Sequence, residues 1–168
     1  GPGNIYVAIA KKLVYGSVGI DSIAGPTEVV IIADESANAR FVAADLLAQA
    51  EHDPQASSVL ITTSEHLARE VSREVELQIA TLDRLEIARA SIDHYGAVFV
   101  VNSLETACEL ANRIAPEHLE LMTSEDDRVA ALLGRPAADP VDPRAVALAE
   151  HPVDEAVVAR QVVLGQEA

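Results

Sequence analysis

The sequence predicts an α/β fold in which a mostly parallel sheet is flanked by helices. Short apolar runs of strand length alternate with longer segments of helical periodicity. The 168 residues, with 49% hydrophobic content, also suffice for one core of ordinary size. Because alternating strands and helices imply right-handed crossovers between parallel strands, helices are expected on both faces of the sheet.

A first helix is predicted close to the start of the chain. Residues 1–4 are turn formers that end in Asn4, a good N-cap, and Ile5, Ile9 and Leu13 follow at helical spacing. The chain does not begin with Met and enters this segment at once, so we expect an excised or partial chain.

Changes in composition predict three parts of the chain. Residues 19–27 combine turn formers with isolated apolar residues, which suits a crossing between two layers or two domains. We therefore expect residues 1–24 to be a fragment of a neighbouring α/β domain and residues 25–134 to form the core domain that carries the site. The composition of residues 135–168, which is rich in Ala, Val and Pro, indicates a poorly ordered tail with one possible helix, Val153–Val163.

The core domain shows four strand patterns, each followed by helical periodicity. The predicted strands are Val29–Ala33, Val59–Ile61, Ala97–Val101 and Leu119–Met122. The predicted helices are residues 39–52, Ser64 to about Ala80, Asp83 to about Ile92, Ser103–Ile114, and Ser124 toward Leu133. Asn38 and Ser64 are the expected N-caps of the first two of these helices. This order predicts an incomplete Rossmann-like sheet.

The charge balance excludes several classes of partner. Lys and Arg total 12 against 27 acidic residues, and the net charge of -15 opposes binding to nucleic-acid phosphates or to an anionic membrane. Cys108 has no second cysteine with which to form an internal disulfide. No apolar run approaches the roughly 20 residues of a spanning helix. We therefore expect a cytoplasmic protein without a nucleic-acid or membrane partner.

Parallel strands would bring three distant segments together. If the first, second and fourth strands are parallel, the segments that lead into them lie at one edge of the sheet. These segments end in Thr27, in Gln49 to Asp53, and in Glu117-His118. A hydroxyl, an amide, two imidazoles and carboxylates would converge there, and such a cluster could hold a metal and transfer protons.

Gln49 and His52 are candidate metal ligands. They stand three residues apart near the end of a helix, so their side chains share a face and can reach one ion. Gln is a rare zinc ligand, and the alternative is that His52 is simply placed well by the helix macrodipole. Two ligands are also fewer than the four, or three plus water, that zinc requires.

Glu117 and His118 are candidates for proton transfer. An imidazole gains and loses a proton near neutral pH, which suits His118 as a general base, and the carboxylate of Glu117 could activate water. Adjacent residues of an extended segment point to opposite faces, so both can serve one site only if the turn at Pro116 bends the backbone. The alternative is a solvated turn that leads into a strand.

Several of these segments also follow the order and spacing of a known enzyme family. They are Gly1-Pro2-Gly3-Asn4, Ile20-Asp21, Ala24–Val29, Ala44–Asp53 and Pro116-Glu117-His118-Leu119. Together they closely resemble the middle of histidinol dehydrogenase, over roughly residues 1–133. The resemblance implies an enzyme of histidine biosynthesis that uses zinc and NAD. It would oxidise L-histidinol through bound histidinal to L-histidine, with two NAD as hydride acceptors.

The resemblance also implies roles for individual residues. Gln49 and His52 match two zinc ligands that lie against the substrate, and Thr27 falls where the family usually has a substrate-contacting Ser. Glu117 matches the residue that activates water for aldehyde hydration, and His118 matches the base of both oxidation steps; both also contact substrate.

The same resemblance implies a contact with the cofactor, but the C-terminal residues of this chain differ from the family. Asn4 matches a residue that contacts NAD. The family's remaining zinc ligands, an Asp and a His, belong to a C-terminal section that residues 135–168 do not match. In the family the His comes from the partner subunit of a homodimer. We therefore expect a homodimer for the full-length form, and weak zinc binding without turnover for this chain alone.

Two alternatives remain open at this stage. One is a noncatalytic α/β module whose acidic surface serves subunit association. The other is a dehydrogenase of the same family that acts on a different alcohol.

Overall fold

The computed structural model describes residues 5–14, 16–19, 27–133 and 160–162. The helices are α1 (Ile5–Val14), α2 (Ala39–Ala50), α3 (Glu65–Ile79), α4 (Leu85–Tyr95), α5 (Leu104–Ile114) and α6 (Asp126–Leu133). The strands are β1 (Glu28–Ala33), β2 (Ser57–Thr62), β3 (Gly96–Val100), β4 (His118–Met122) and β5 (Arg160–Val162). The predicted alternation of strands and helices is confirmed.

These strands form one sheet in the order β4-β1-β2-β3-β5. The first four are parallel, and β5 pairs antiparallel with β3. Along the chain, β2 and β3 are added on one side of β1, whereas β4 is added on the other. The predicted α/β class with a mostly parallel sheet is therefore confirmed.

The helices begin where the sequence provides caps. Asn38, Ser64 and Ser103 each accept a backbone hydrogen bond from the turn that follows, which satisfies an otherwise unpaired amide at the start of α2, α3 and α5. Replacing one such cap by alanine typically costs about 1 kcal/mol. The short polar side chains before each apolar pattern thus fix where three helices start.

Helices cover both faces of the sheet. On one face, α2, α3 and α4 pack on alternate strand residues such as Val29 and Ile31. On the other face, α5 and α6 pack on Val30 and Ile32. Fully burying each such side chain stabilises the fold by roughly 1.5–3 kcal/mol. The interior strand β1 is therefore buried on both faces, which accounts for its unbroken apolar run.

The junction between α4 and β3 differs from the prediction. The helix runs to Tyr95 and β3 starts at once at Gly96, without the turn that an end near Ile92 would leave. A Cβ at Gly96 would lie 2.6 Å from the carbonyl oxygen of Ile92, so the helix and strand can meet this closely only at a glycine.

The helix predicted over Val153–Val163 is wrong at Arg160–Val162, which forms β5. These residues align with Val98, Phe99 and Val100 of β3, whose outer edge offers unpaired backbone groups. Long-range pairing with that edge outweighs the weak local helical pattern. The rest of the predicted helix lies outside the described residues.

The N-terminal part is described only in pieces. Helix α1 forms as predicted and leaves Tyr6 77% and Leu13 80% exposed. The proposed boundary near residues 19–27 falls largely outside the described residues, so the division into domains stays a prediction.

No helix in the described part of the chain is long and apolar enough to cross a membrane.

Candidate active site at the amino edge of the sheet

The parallel strands start at a common edge, which we call the amino edge. In the register of β1 with β4, Val29 is aligned with His118, and in that of β1 with β2, Glu28 is aligned with Ser57. Thr27 immediately precedes β1, and its carbonyl oxygen accepts a hydrogen bond from the Ser57 amide at 3.1 Å. The segments that lead into β1, β2 and β4 therefore meet as expected from a parallel sheet.

Helix α2 brings a buried amide to this edge. Gln49 lies in its last turn and is only 8% exposed. Its Nε2 donates a short hydrogen bond of 2.5 Å to Thr27 Oγ1. Since the amide nitrogen is engaged with this hydroxyl, the Oε1 carbonyl oxygen is the atom of Gln49 with which a ligand or metal would interact.

His52 follows just beyond the end of α2. Its backbone amide donates to the carbonyl oxygen of Gln49 at 3.1 Å, and its side chain is exposed. An amide oxygen and an imidazole thus occur three residues apart at one helix end, and both are donor types that a divalent metal accepts.

The donors at α2 make up part of a metal shell. Among residues 5–14, 16–19, 27–133 and 160–162, no group of three or more His, Cys, Asp or Glu side chains could hold an ion. Gln49 and His52 therefore fit zinc in their chemistry but supply two ligands where a closed site has four.

Glu117 and His118 lie where β4 begins. Helix α5 ends at Ile114, its C-cap Ala115 has a left-handed φ of 50°, and the backbone bends again at Glu117. Glu117 Oε1 then lies 4.0 Å from His118 Nε2, with the two side chains 59% and 57% exposed. The bend that would let both side chains serve one site is therefore present.

The side of the sheet from which His118 projects determines which residues lie near its side chain. Its aligned partner Val29 packs beneath α2. Side chains of aligned residues project from the same face, so His118 lies on the α2 face with Gln49 and Thr27. Thr27, Gln49 and His118 thus share the α2 side of the amino edge, His52 follows the end of α2, and Glu117 immediately precedes His118. Asn4 lies outside the described residues.

Carboxylates near this edge have perturbed titration. Burial raises the pKa of Glu28, and the negative charge of Glu117 raises it further. Burial also raises the pKa of Glu120, as does Asp45, while His118 opposes the change. Neither Glu28 nor Glu120 was predicted as a site residue, because their surroundings depend on the pairing of β1 with β4.

The opposite edge holds a second polar feature that the sequence did not reveal. Asp34 follows β1, and its Oδ1 accepts bonds from the Ser36 amide at 2.9 Å and hydroxyl at 2.5 Å. Its Oδ2 accepts bonds from the Ser124 amide at 2.8 Å and hydroxyl at 2.7 Å. Burial raises the pKa of Asp34, but these four bonds outweigh it and lower the pKa to about 2.

A cleft of about 540 Å³ opens beside Ser36, which donates to this carboxylate. Its walls include Asn38, the N-cap of α2, and Phe41 of that helix, together with Met122 and Thr123 at the end of β4. It lies at the carboxyl ends of β1 and β4, away from the predicted site residues at the amino edge.

Comparison with known proteins identifies the chain's relatives. The family model described as "Histidinol dehydrogenase" matches residues 1–136. The chain belongs to the histidinol dehydrogenase family. It is 61% identical over 125 residues to the histidinol dehydrogenase of Bacillus cereus and 64% identical over 121 residues to that of a Synechococcus strain. These alignments cover 74% and 72% of the chain. The resemblance inferred from the motifs is therefore confirmed.

Solved structures give the same assignment. The crystal structure of histidinol dehydrogenase from Elizabethkingia anophelis is similar with a TM-score of 0.77 and 31% identity over 97% of this chain. The alignment covers 43% of that structure's chain. The chain spans only 29% and 28% of the Bacillus and Synechococcus relatives. What the complete relatives do is therefore carried to this chain as a proposal.

Proposed function

We propose that this chain supplies part of the active site of an enzyme that oxidises L-histidinol through histidinal to L-histidine, with two NAD as hydride acceptors. One observation carries the proposal most directly. Thr27 and Gln49 are joined by a hydrogen bond at the edge of β1, and His118 begins the adjacent strand on the same face. A substrate bound there would meet a hydroxyl, an amide oxygen and an imidazole together.

The imidazole of His118 is the proposed general base. It is half-exposed at the start of β4, so substrate can approach it from the α2 side. An imidazole accepts a proton near neutral pH and returns it to solvent, as each alcohol or hydrate oxidation requires. In this proposal His118 takes the hydroxyl proton of histidinol, and later that of the hydrated aldehyde.

The carboxylate of Glu117 is proposed to activate the water that hydrates histidinal. Its Oε1 is 4.0 Å from His118 Nε2, so a molecule placed against the imidazole also lies within reach of the carboxylate. Glu117 takes a proton from water while the oxygen attacks the aldehyde carbon. The imidazole of His118 and the carboxylate of Glu117 thus act in successive steps at the same substrate carbon.

Gln49 and His52 are proposed to hold zinc through Oε1 and an imidazole nitrogen. When bound, zinc would orient the substrate and favour loss of its alcohol proton, while NAD would accept the hydride. Thr27 orients the Gln49 amide, because its hydroxyl accepts the bond from Nε2. The NAD contact at Asn4, the homodimer and the cytoplasmic location are parts of the same proposal.

Zinc titration of the 168-residue chain tests this assignment. We expect weak but measurable affinity in the wild type, and a loss of about tenfold or more in His52→Ala when one donor is removed. His66→Ala is the matched control, since His66 is an exposed imidazole in the first turn of α3. Equal affinity in the wild type and His52→Ala would refute the metal role and favour a noncatalytic module.

Turnover is the second measurement. With L-histidinol, NAD and zinc, we expect the chain alone to form little NADH, because Gln49 and His52 make up only part of the ligand shell that zinc requires. Strong NADH formation would contradict this incomplete shell. Rates with other amino alcohols, measured in a longer form with activity, decide whether histidinol is the preferred substrate.

A further inference from the structure

Glu28 is a carboxylate that the proposed reaction does not use. It opens β1 beside β4, and its side chain is half-buried. The aligned positions of β1 and β4 begin at Val29 and His118, and Glu28 and Glu117 are the residues that immediately precede them. Two acidic residues thus lie close together at the amino edge, and the charge of Glu117 acts on Glu28.

No positive charge among the described residues offsets the repulsion of Glu28 by Glu117. Strand residues alternate in direction, so Glu28 lies on the face opposite Val29, where α5 packs apolar side chains such as Ile114. Its aligned partner on β2 is the uncharged Ser57. Within the part of the chain that the structure describes, Glu117 is the charge that acts on Glu28, and burial together with that charge raises the pKa of Glu28.

Glu117 has Glu28 on one side and an imidazole on the other. We propose that Glu28 is a positioning residue, whose like charge on the neighbouring strand directs the Glu117 carboxylate away from the sheet and toward His118. This inference rests on the proposed function, because the water-activating carboxylate and the general base must reach one substrate. Glu28 acts through Glu117, and repulsion between the two is strongest when both are ionised.

Titration of the Glu28 carboxyl group tests the pairing. In the 168-residue chain, ¹³C NMR follows this group in the wild type, Glu117→Gln and Glu120→Gln. We expect Glu117→Gln to lower the Glu28 midpoint by about half a pH unit. Glu120→Gln removes the same charge from β4 but on the α2 face, so it leaves the midpoint unchanged. An unchanged midpoint in Glu117→Gln, or an equal fall in both variants, would overturn the proposal.

The position of Glu117 is measured by the nuclear Overhauser contact between its side-chain methylene protons and the His118 ring. We expect Glu28→Gln to weaken this contact by roughly half, and Glu28→Asp to retain it because the charge remains. Acidification that protonates Glu28 should weaken it in the wild type as well. A contact that is unchanged in Glu28→Gln, or equally weak in Glu28→Asp, refutes positioning by charge. Neither measurement requires turnover, so failure of histidinol oxidation is distinguished from failure of this inference.

Discussion

The carboxylate of Asp34 should contribute measurably to the free energy of unfolding of the chain. It joins the loops after β1 and β4, which are 90 residues apart, through four hydrogen bonds to Ser36 and Ser124. We predict that Asp34→Asn destabilises the fold. The amide keeps the shape of the carboxylate, but its NH₂ group would face donors where the carboxylate accepts bonds.

The expected magnitude follows from the pKa of Asp34. A fall from 3.8 to about 2 corresponds to roughly 2.5 kcal/mol at about 1.4 kcal/mol per pH unit. Solvent near the loops screens part of this interaction, so we expect a loss of about 1–2 kcal/mol in the free energy of unfolding. Natural domains are stable by only about 5–15 kcal/mol, and such a loss is readily measured.

The contribution of Asp34 to the free energy of unfolding should decrease at low pH. Because the pKa of Asp34 is lower in the folded chain than its ordinary value of 3.8, its contribution is fully present above that value and is lost as pH falls toward 2. Urea unfolding, followed by circular dichroism from neutral pH downward, should therefore show a difference between wild type and Asp34→Asn that shrinks with acidification. Exposed Asp83→Asn is the control and should change stability by less than about 0.5 kcal/mol. A difference between wild type and Asp34→Asn that is independent of pH, or no larger than that of the control, would refute the reasoning.

Two further predictions concern the core. Gly96→Ala places a Cβ 2.6 Å from the Ile92 carbonyl oxygen, so we expect a loss of about 1–3 kcal/mol in urea unfolding. Gly19→Ala is its control, since an added Cβ there meets no atom within 4 Å among the described residues. Burial raises the pKa of the Cys108 thiol, and we expect a disulfide reagent to modify it at least about tenfold faster in denaturant; equal rates would contradict its buried position.

Local patterns were enough to predict most of the sheet. The apolar run Val29–Ala33 predicted a strand, and Asn38, Ser64 and Ser103 marked three predicted helix starts. Each of these signals lies within a few residues of its structural effect. The end of α4 escaped prediction, because it depends on how closely Gly96 can approach the preceding turn.

Features that depend on long-range pairing were harder to infer. The convergence of Thr27, Gln49 and His118 followed from one assumption, that the strands are parallel, and that assumption was correct. By contrast, no local pattern links Asp34 to Ser124 or Arg160–Val162 to β3. Their partners are set by the strand order, which the sequence pattern alone did not fix.

The amino and carboxyl ends of the parallel strands therefore have different roles. In open α/β sheets, ligands usually bind at the carboxyl ends of the strands where the strand order reverses, which here lies between β1 and β4. In this chain Asp34 ties the β1 and β4 loops together at that point, and the residues proposed for catalysis lie at the amino edge. If this separation is correct, Asp34→Asn should lower the stability of the fold and leave the zinc affinity of the folded chain unchanged, whereas His52→Ala should do the reverse. A loss of zinc affinity in Asp34→Asn would show that the two edges are coupled.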